Sequence, residues 1–189
     1  MIYLFNKTAN KILLETVLLL GIVYFWTSNS YLVTTFLITI MGLLAFILII
    51  LENAPIFILI YLSFLTSFSL YSFLFQFNLP VWVIMILILL LFGYFFYYTE
   101  QKIGILGNKR LAYLILFSLI VLEVFFALNY FLISPLSKSL IISTIIYLLI
   151  GFCYTILAKH DDKRLRTYLI IATIMIGVVF TSSIWGNSI

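Results

Sequence analysis

Apolar residues occur along this chain in seven long runs, and the short segments between them carry most of the charges and all three prolines. A helix needs about 17 to 25 predominantly apolar residues to cross the hydrocarbon core of a bilayer. The pattern therefore predicts an all-α polytopic transmembrane helix bundle with seven spans. The predicted spans are residues 12–26, 32–51, 56–75, 81–98, 111–133, 139–157 and 165–185.

The first run is the shortest, and because Lys7 and Lys11 precede it, it has the outline of a signal peptide. No small-x-small cleavage site follows, since residues 27–31 read Thr-Ser-Asn-Ser-Tyr. We therefore expect an uncleaved first span, extended to the lipid interface by Lys11 and Glu15. An alternative with six spans would lay the first run in the interface and leave Lys7 and Lys11 outside.

The basic residues are distributed very unevenly along this threading. Nine of the ten fall on one side of the membrane, and Lys138, in the turn before the sixth run, falls on the other. Short loops rich in Lys and Arg stay on the cytoplasmic side, so we predict an inside N-terminus and an outside C-terminus. The nine residues on the cytoplasmic side are Lys7, Lys11, Lys102, Lys109, Arg110, Lys159, Lys163, Arg164 and Arg166.

The composition supports a single membrane domain. In 189 residues, 66% are hydrophobic and 8% are charged, which leaves no room for a soluble domain. We expect one integral domain, residues 1–189, in the cytoplasmic membrane as a multi-pass protein. The net charge of +4 comes from bases beside span ends, where anionic headgroups are the natural partners, so nucleic acid is not expected. A lone Cys153 cannot form an internal disulfide.

Glu123 stands apart from the other acidic residues, because it lies about 18 Å from the inner end of the fifth run, near the bilayer midplane. No Lys, Arg or His occurs at a matching depth in another run. We therefore expect a neutral carboxyl that faces the bundle interior and donates a hydrogen bond. The candidate intramembrane partners at similar depth are Ser63, Thr66 and Ser67 in run three, Thr144 and Tyr147 in run six, and Thr173 in run seven.

Two interpretations of Glu123 follow. It is either a proton or cation site in a transport path, or a packing group that hydrogen-bonds another helix or another subunit. Because no basic residue is predicted at the depth of Glu123, the packing role is favoured over the transport role. Residues 83–92 are uniformly apolar, so we expect run four at the periphery and runs three, five, six and seven closer together.

Two further sequence patterns are candidate sites. Thr173, Gly177 and Thr181 recur at every fourth position, a stripe of small residues that lets helices approach closely. His160, Asp161 and Asp162 are adjacent on one loop and have no second cluster to complete a metal site. The first pattern predicts helix packing, and the second predicts a solvated loop.

The sequence lacks the common intramembrane catalytic patterns. It has no lysine in the last run for a retinal Schiff base, no H-E-x-x-H, no paired-Glu metalloprotease helix, no Gly-x-Ser-Gly nucleophile with an intramembrane His, and no aspartate-rich diphosphate motif. We expect a protein that is not an enzyme and holds neither a metal nor a cofactor.

Residues 122–130, Leu-Glu-Val-Phe-Phe-Ala-Leu-Asn-Tyr, are followed by Ser134-Pro135-Leu136, and residues 164–168 lead into a span that ends at Trp185. This last third of the chain resembles a group of uncharacterised small polytopic membrane proteins from candidate-phyla (Patescibacteria-type) bacteria. The resemblance implies a small multi-pass membrane protein and carries no activity with it.

Two functions from different classes remain. The first is a scaffold or subunit that packs in the bilayer against a membrane-protein partner or another copy of the chain. The second is a small proton-linked transporter or channel that uses Glu123. A water-accessible Glu123 would distinguish the second from the first.

Overall fold

The computed structural model describes residues 2–28, 32–77, 80–104, 110–153 and 162–185. These ranges are almost wholly helical, and the all-α prediction is confirmed. The helices are α1 (Ile2–Ser28), α2 (Leu32–Ile50), α3 (Pro55–Phe77), α4 (Val81–Ile103), α5 (Arg110–Asn129), α6 (Pro135–Phe152) and α7 (Asp162–Trp185).

Five of these helices contain a stretch that is long and apolar enough to cross a membrane. Helices α2 and α7 contain shorter apolar stretches, Thr34–Ile50 and Arg166–Gly177. Helix α1 begins at Ile2, so it extends well before the first apolar run. The five long stretches are Ala9–Ser28, Pro55–Leu74, Val81–Ile103, Arg110–Asn129 and Pro135–Phe152.

Helix ends follow the local chemistry of the turns. Gly104 ends α4 in the left-handed conformation, with φ of 70°, and its N–H donates to the Glu100 carbonyl over 2.8 Å. Ser134 caps α6, because its Oγ accepts from the Ser137 N–H over 3.2 Å, and Pro135 occupies the first turn. Helix α6 therefore begins four residues before the predicted span at residue 139, and Lys138 belongs to the helix rather than to a turn.

Helix α3 lies at the centre of the bundle and packs against α1, α2, α4 and α6. Helix α5 packs against α4 and α6, and α7 packs on α6. The prediction that the fourth run lies at the periphery is wrong for one face of α4, where Ile84, Ile88 and Phe92 are fully buried. A uniformly apolar helix suits lipid and a core equally well, so its composition could not decide between them.

Side-chain contacts mark two ends of the bundle. At one end, Glu52 in the α2–α3 turn accepts from Lys102 of α4 over 2.6 Å and lies 3.6 Å from Lys11 of α1. At the other end, the Tyr24 hydroxyl of α1 donates to Gln76 of α3 over 2.9 Å. We call the first of these the Lys102 end. We call the second the Lys138 end, because Lys138 in the first turn of α6 lies there, over the ring of Tyr71 in α3.

Candidate functional site

The polar residues predicted at mid-depth belong mainly to two helices that pack on each other. Helices α3 and α6 make the most extensive helix pair in the described bundle. We call the contact between them the α3–α6 interface. The buried polar residues of these two helices are Ser63, Thr66, Ser67 and Ser72 on α3, and Ser137, Lys138, Ser139, Ser143 and Thr144 on α6.

Lys138 is buried in the first turn of α6, with only 1% of its surface exposed. Its Nζ lies 5.3 Å from the centroid of the Tyr71 ring, a cation–π contact. Tyr71 is itself fully buried in α3, and its hydroxyl donates to the Phe125 carbonyl of α5 over 2.8 Å. Lys138, which the sequence assigned to an outer turn, therefore lies in the core of the bundle. It contacts Tyr71, the residue that links α3 to α5.

The contact between Tyr71 and Lys138 sets the register of the antiparallel α3–α6 pair. At about 1.5 Å per residue, Ser67 lies about 6 Å and Ser63 about 12 Å along α3 from Tyr71. On α6, Thr144 lies about 9 Å from Lys138. Ser63, Ser67 and Thr144, for which the sequence predicted a similar depth, therefore do lie at similar heights along the α3–α6 pair.

Hydrogen bonding differs between the two sides of this interface. On α6, Ser143 and Thr144 each donate to the Leu140 carbonyl, over 2.9 Å and 2.8 Å. On α3, the fully buried Oγ atoms of Ser63 and Ser67 have no hydrogen-bond partner among the described residues. A buried hydroxyl without a partner is destabilising, so these two serines are the unexplained polar groups of the interface.

Glu123 does not face this interface. It is exposed on the outer surface of α5, about 180° around the helix from buried Leu114, and the described residues give it neither a hydrogen bond nor an ion pair. Helix α5 ends at Asn129, so Glu123 lies about 9 Å before its last residue and about 5 Å from its midpoint. The expectation that its carboxyl faces runs three, six or seven is therefore wrong for the isolated chain.

The remaining predicted residues lie around α7. The Tyr147 ring lies 4.7 Å from the Tyr168 ring, so this residue packs between α6 and α7. Thr173 is exposed and donates to the Leu169 carbonyl of its own helix over 2.8 Å. Gly177 is exposed too, and the Thr181 side chain lies outside the described residues.

The close approach between α6 and α7 occurs at a glycine that the sequence patterns did not single out. A Cβ added at Gly151 would lie 2.5 Å from Cγ of Tyr168, whereas one added at Gly177 would meet nothing within 4 Å. The stripe on α7 therefore faces away from α6. A single glycine with no repeat has no sequence signal, so only the packing of Tyr168 identifies it.

The Lys102 end carries a second polar group. Lys11 donates to the Ile50 carbonyl over 2.7 Å, which ties α1 to the end of α2. The Arg110 guanidinium lies 4.3 Å from the centroid of the Tyr97 ring and donates to the Tyr97 carbonyl over 3.0 Å. These half-exposed contacts hold helix ends together and are screened by salt.

The described interior of the bundle offers hydroxyls, the ammonium of Lys138, the carboxyl of Glu100 and the thiol of Cys153, whereas the carboxyl of Glu123 is exposed. No three His, Cys, Asp or Glu side chains come together there. Residues 160 and 161 of the His160-Asp161-Asp162 sequence, and the basic Lys109 and Lys159, lie outside the described residues.

A family model described as "Protein of unknown function (DUF5656)" matches residues 52–184, which is more than half of the chain. The matched range runs from the α2–α3 turn almost to the end of α7, so it contains the α3–α6 interface and Glu123. No curated protein and no solved structure matches the chain. The chain belongs to the DUF5656 family.

Proposed function

We propose that this member of the DUF5656 family is a non-enzymatic, seven-span protein of the cytoplasmic membrane that acts as a subunit or scaffold. Its N-terminus lies inside and its C-terminus outside. The outer face of α5 around Glu123 binds a membrane partner. In this arrangement α1 to α7 all cross the bilayer, including α2 and α7 with their shorter apolar stretches.

The observation that carries the proposal is the position of Glu123. A carboxyl group inside the hydrocarbon normally faces protein and has a partner. In the isolated chain Glu123 faces outward, and the described residues offer it none. A partner helix against α5 would remove this group from lipid and satisfy its hydrogen bonding.

The distribution of basic residues supports the orientation. Lys11, Lys102 and Arg110 lie at the end of the bundle that includes the α2–α3 turn, while Lys138 lies at the opposite end. Under the positive-inside rule the Lys102 end is cytoplasmic. The burial of Lys138 strengthens this reading, because a cation held in the core contributes little to loop charge.

The exposed stripe on α7 provides a second candidate contact surface. Thr173 and Gly177 are small and face away from α6, and small residues let another transmembrane helix approach closely. A subunit in a larger assembly accounts for both outward-facing features, since Glu123 and Thr173 are both exposed.

The alternative is a proton-linked transporter or channel that uses Glu123. Such a site needs a water-accessible path lined by further polar groups. The hydroxyl-bearing residues Ser63, Ser67 and Thr144 are instead buried on α3 and α6, whereas Glu123 is exposed on the outward face of α5. This separation favours the subunit function.

Purification in a mild detergent, followed by mass determination of the intact complex and mass spectrometry of its components, tests the proposal. We expect a stable assembly, either with another membrane protein or with further copies of the chain. The Glu123→Leu variant should lose that assembly while retaining its own fold. A strictly monomeric protein with no co-purifying partner would contradict the subunit function.

A further inference from the structure

We propose that the partner of the α5 face is a second copy of this chain, joined in a symmetric dimer in which the two Glu123 carboxyls hydrogen-bond each other. This inference rests on the proposed function, because it names the partner of the surface assigned there.

The outward face of α5 has the spacing of a helix-packing surface. Ala112, Leu116, Leu119, Glu123 and Ala127 are all exposed and follow one another at intervals of three or four residues. These intervals place them on one side of the helix, opposite the buried face that contacts α4 and α6. A mixture of three- and four-residue steps suits a crossing angle near 20° between long helices.

Membrane topology makes a second copy a natural partner for this face. Two copies inserted in the same direction are related by a two-fold axis along the bilayer normal, so their α5 helices run parallel. An isologous contact on that axis brings each residue of the stripe to its own counterpart at the same depth. Glu123 of one copy therefore meets Glu123 of the other, and no second polar residue is needed to satisfy it.

The chemistry of the carboxyl group fits this pairing. A protonated carboxyl has one O–H donor and a carbonyl acceptor, so two such groups can form two reciprocal hydrogen bonds. Among the described residues, no cation pairs with Glu123. Lys138 lies in the core against Tyr71, and the ion pairs of Lys11 and Lys102 lie at the other end of the bundle.

The flanking positions suit a close approach of the two helices. Ala112 and Ala127 lie toward the two ends of the stripe and have short side chains, whereas Leu116 and Leu119 provide apolar contact beside Glu123. Outward residues of α2 such as Phe36, Leu43 and Ile47 are apolar and suit lipid without a partner. The outward face of α5, in contrast, carries the exposed carboxyl of Glu123, a group that lipid cannot satisfy.

Disulfide cross-linking of the purified full chain tests the dimer. Single cysteines are placed at Leu119 and at Ala127 in a Cys153→Ser background, and each variant is reconstituted in vesicles of phosphatidylethanolamine and phosphatidylglycerol. Oxidation with copper phenanthroline should give a covalent dimer at both positions. Leu90→Cys is the matched control, because Leu90 is 64% exposed on the outer face of α4 and should stay monomeric.

Changes at Glu123 test the carboxyl pair. Glu123→Gln keeps a donor and an acceptor and should preserve cross-linking, whereas Glu123→Leu should weaken the dimer by about tenfold on dilution of protein in lipid. Glu123→Leu should not lower the unfolding temperature of the monomer in detergent, since Glu123 is exposed and has no hydrogen bond or ion pair among the described residues. A Gln variant as weak as the Leu variant would overturn the pairing.

The outcomes separate this inference from the proposed function. Purified chain that fails to cross-link through Leu119→Cys and Ala127→Cys overturns the symmetric dimer. If the same variants then cross-link to a different membrane protein in native membranes, the subunit function stands and only the identity of the partner is wrong. If neither product forms, both proposals fail.

Discussion

The Tyr71 hydroxyl donates to the Phe125 carbonyl over 2.8 Å, and the two aromatic rings stack at 4.0 Å between centroids with planes 7° apart. Tyr71 belongs to α3 and Phe125 to α5, two helices far apart in the sequence. Lys138 of α6 lies over the same Tyr71 ring. One side chain therefore fixes the relative position of three helices near the Lys138 end.

Tyr71→Phe should lower the free energy of unfolding by about 1 kcal/mol, because it removes one hydrogen bond and keeps the ring. Tyr71→Ala should cost about 3 to 5 kcal/mol, since it opens a cavity and removes the surface against which Phe125 and Lys138 pack. Reversible unfolding in mixed micelles measures both. Tyr130→Phe is the control, because Tyr130 is exposed, and it should change nothing. A Phe variant as unstable as the Ala variant would contradict this account.

Ser63→Ala and Ser67→Ala should be neutral, or should stabilise the protein by up to about 1 kcal/mol, because each removes a buried hydroxyl that lacks a partner. Ser118→Ala is the matched control. The Ser118 hydroxyl is buried too, but it donates to the Leu114 carbonyl over 2.8 Å, so its removal should cost up to about 1 kcal/mol. Chemical unfolding of the three variants gives the comparison. A larger loss for the α3 serines would show that an internal water bonds them.

Gly151→Ala should destabilise the protein by about 1 to 3 kcal/mol, because the added Cβ would meet Cγ of Tyr168, an atom too close to the backbone to move aside. Gly177→Ala should be tolerated or slightly stabilising, since that position has open space and alanine favours helix. Thermal unfolding in detergent compares the two. Tyr168→Ala should partly rescue Gly151→Ala. Equal effects of the two glycine substitutions would refute the observed α6–α7 contact.

Reporter fusions test the proposed seven-span threading. A fusion after Lys109 should show cytoplasmic activity, and one after Ser137 should show external activity, because Lys109 precedes α5 and Ser137 follows it in the first turn of α6. A reporter that is active only inside the cell and one active only outside should be used in parallel at each site. Cytoplasmic activity after Ser137, or external activity after Lys109, would rule out the threading.

Local sequence rules predicted the helices well and their ends less well. The prolines and glycines of the turns, such as Pro55 and Gly104, lie where the helices start and stop. Helix α6 begins earlier than its apolar run because Ser134 and Pro135 form a favourable N-terminus. An apolar-run criterion cannot include the polar residues Ser137 and Lys138, although the backbone there is helical.

The burial of Lys138 illustrates why the candidate site was only partly predictable. In a soluble loop or at a membrane interface, lysine is usually exposed, and the pattern favoured that outcome. The Tyr71 ring, which lies 67 positions earlier in the sequence, supplies the surface that lets the ammonium stay in the core. No local pattern connects the two residues.

By itself, the sequence determined that the chain is helical, strongly apolar and asymmetric in basic charge, and that the mid-depth hydroxyls of runs three and six lie at similar depth. These properties depend on residue type and spacing along the chain. Only the tertiary structure decided that α3 is central, that Gly151 rather than Gly177 meets a neighbouring helix of the chain, and that Glu123 faces outward. The physical reason is that lipid and a membrane-protein core are equally apolar, so the apolar residues of a helix such as α5 do not show which face is buried. Its one carboxyl, Glu123, was expected to face inward and faces outward instead.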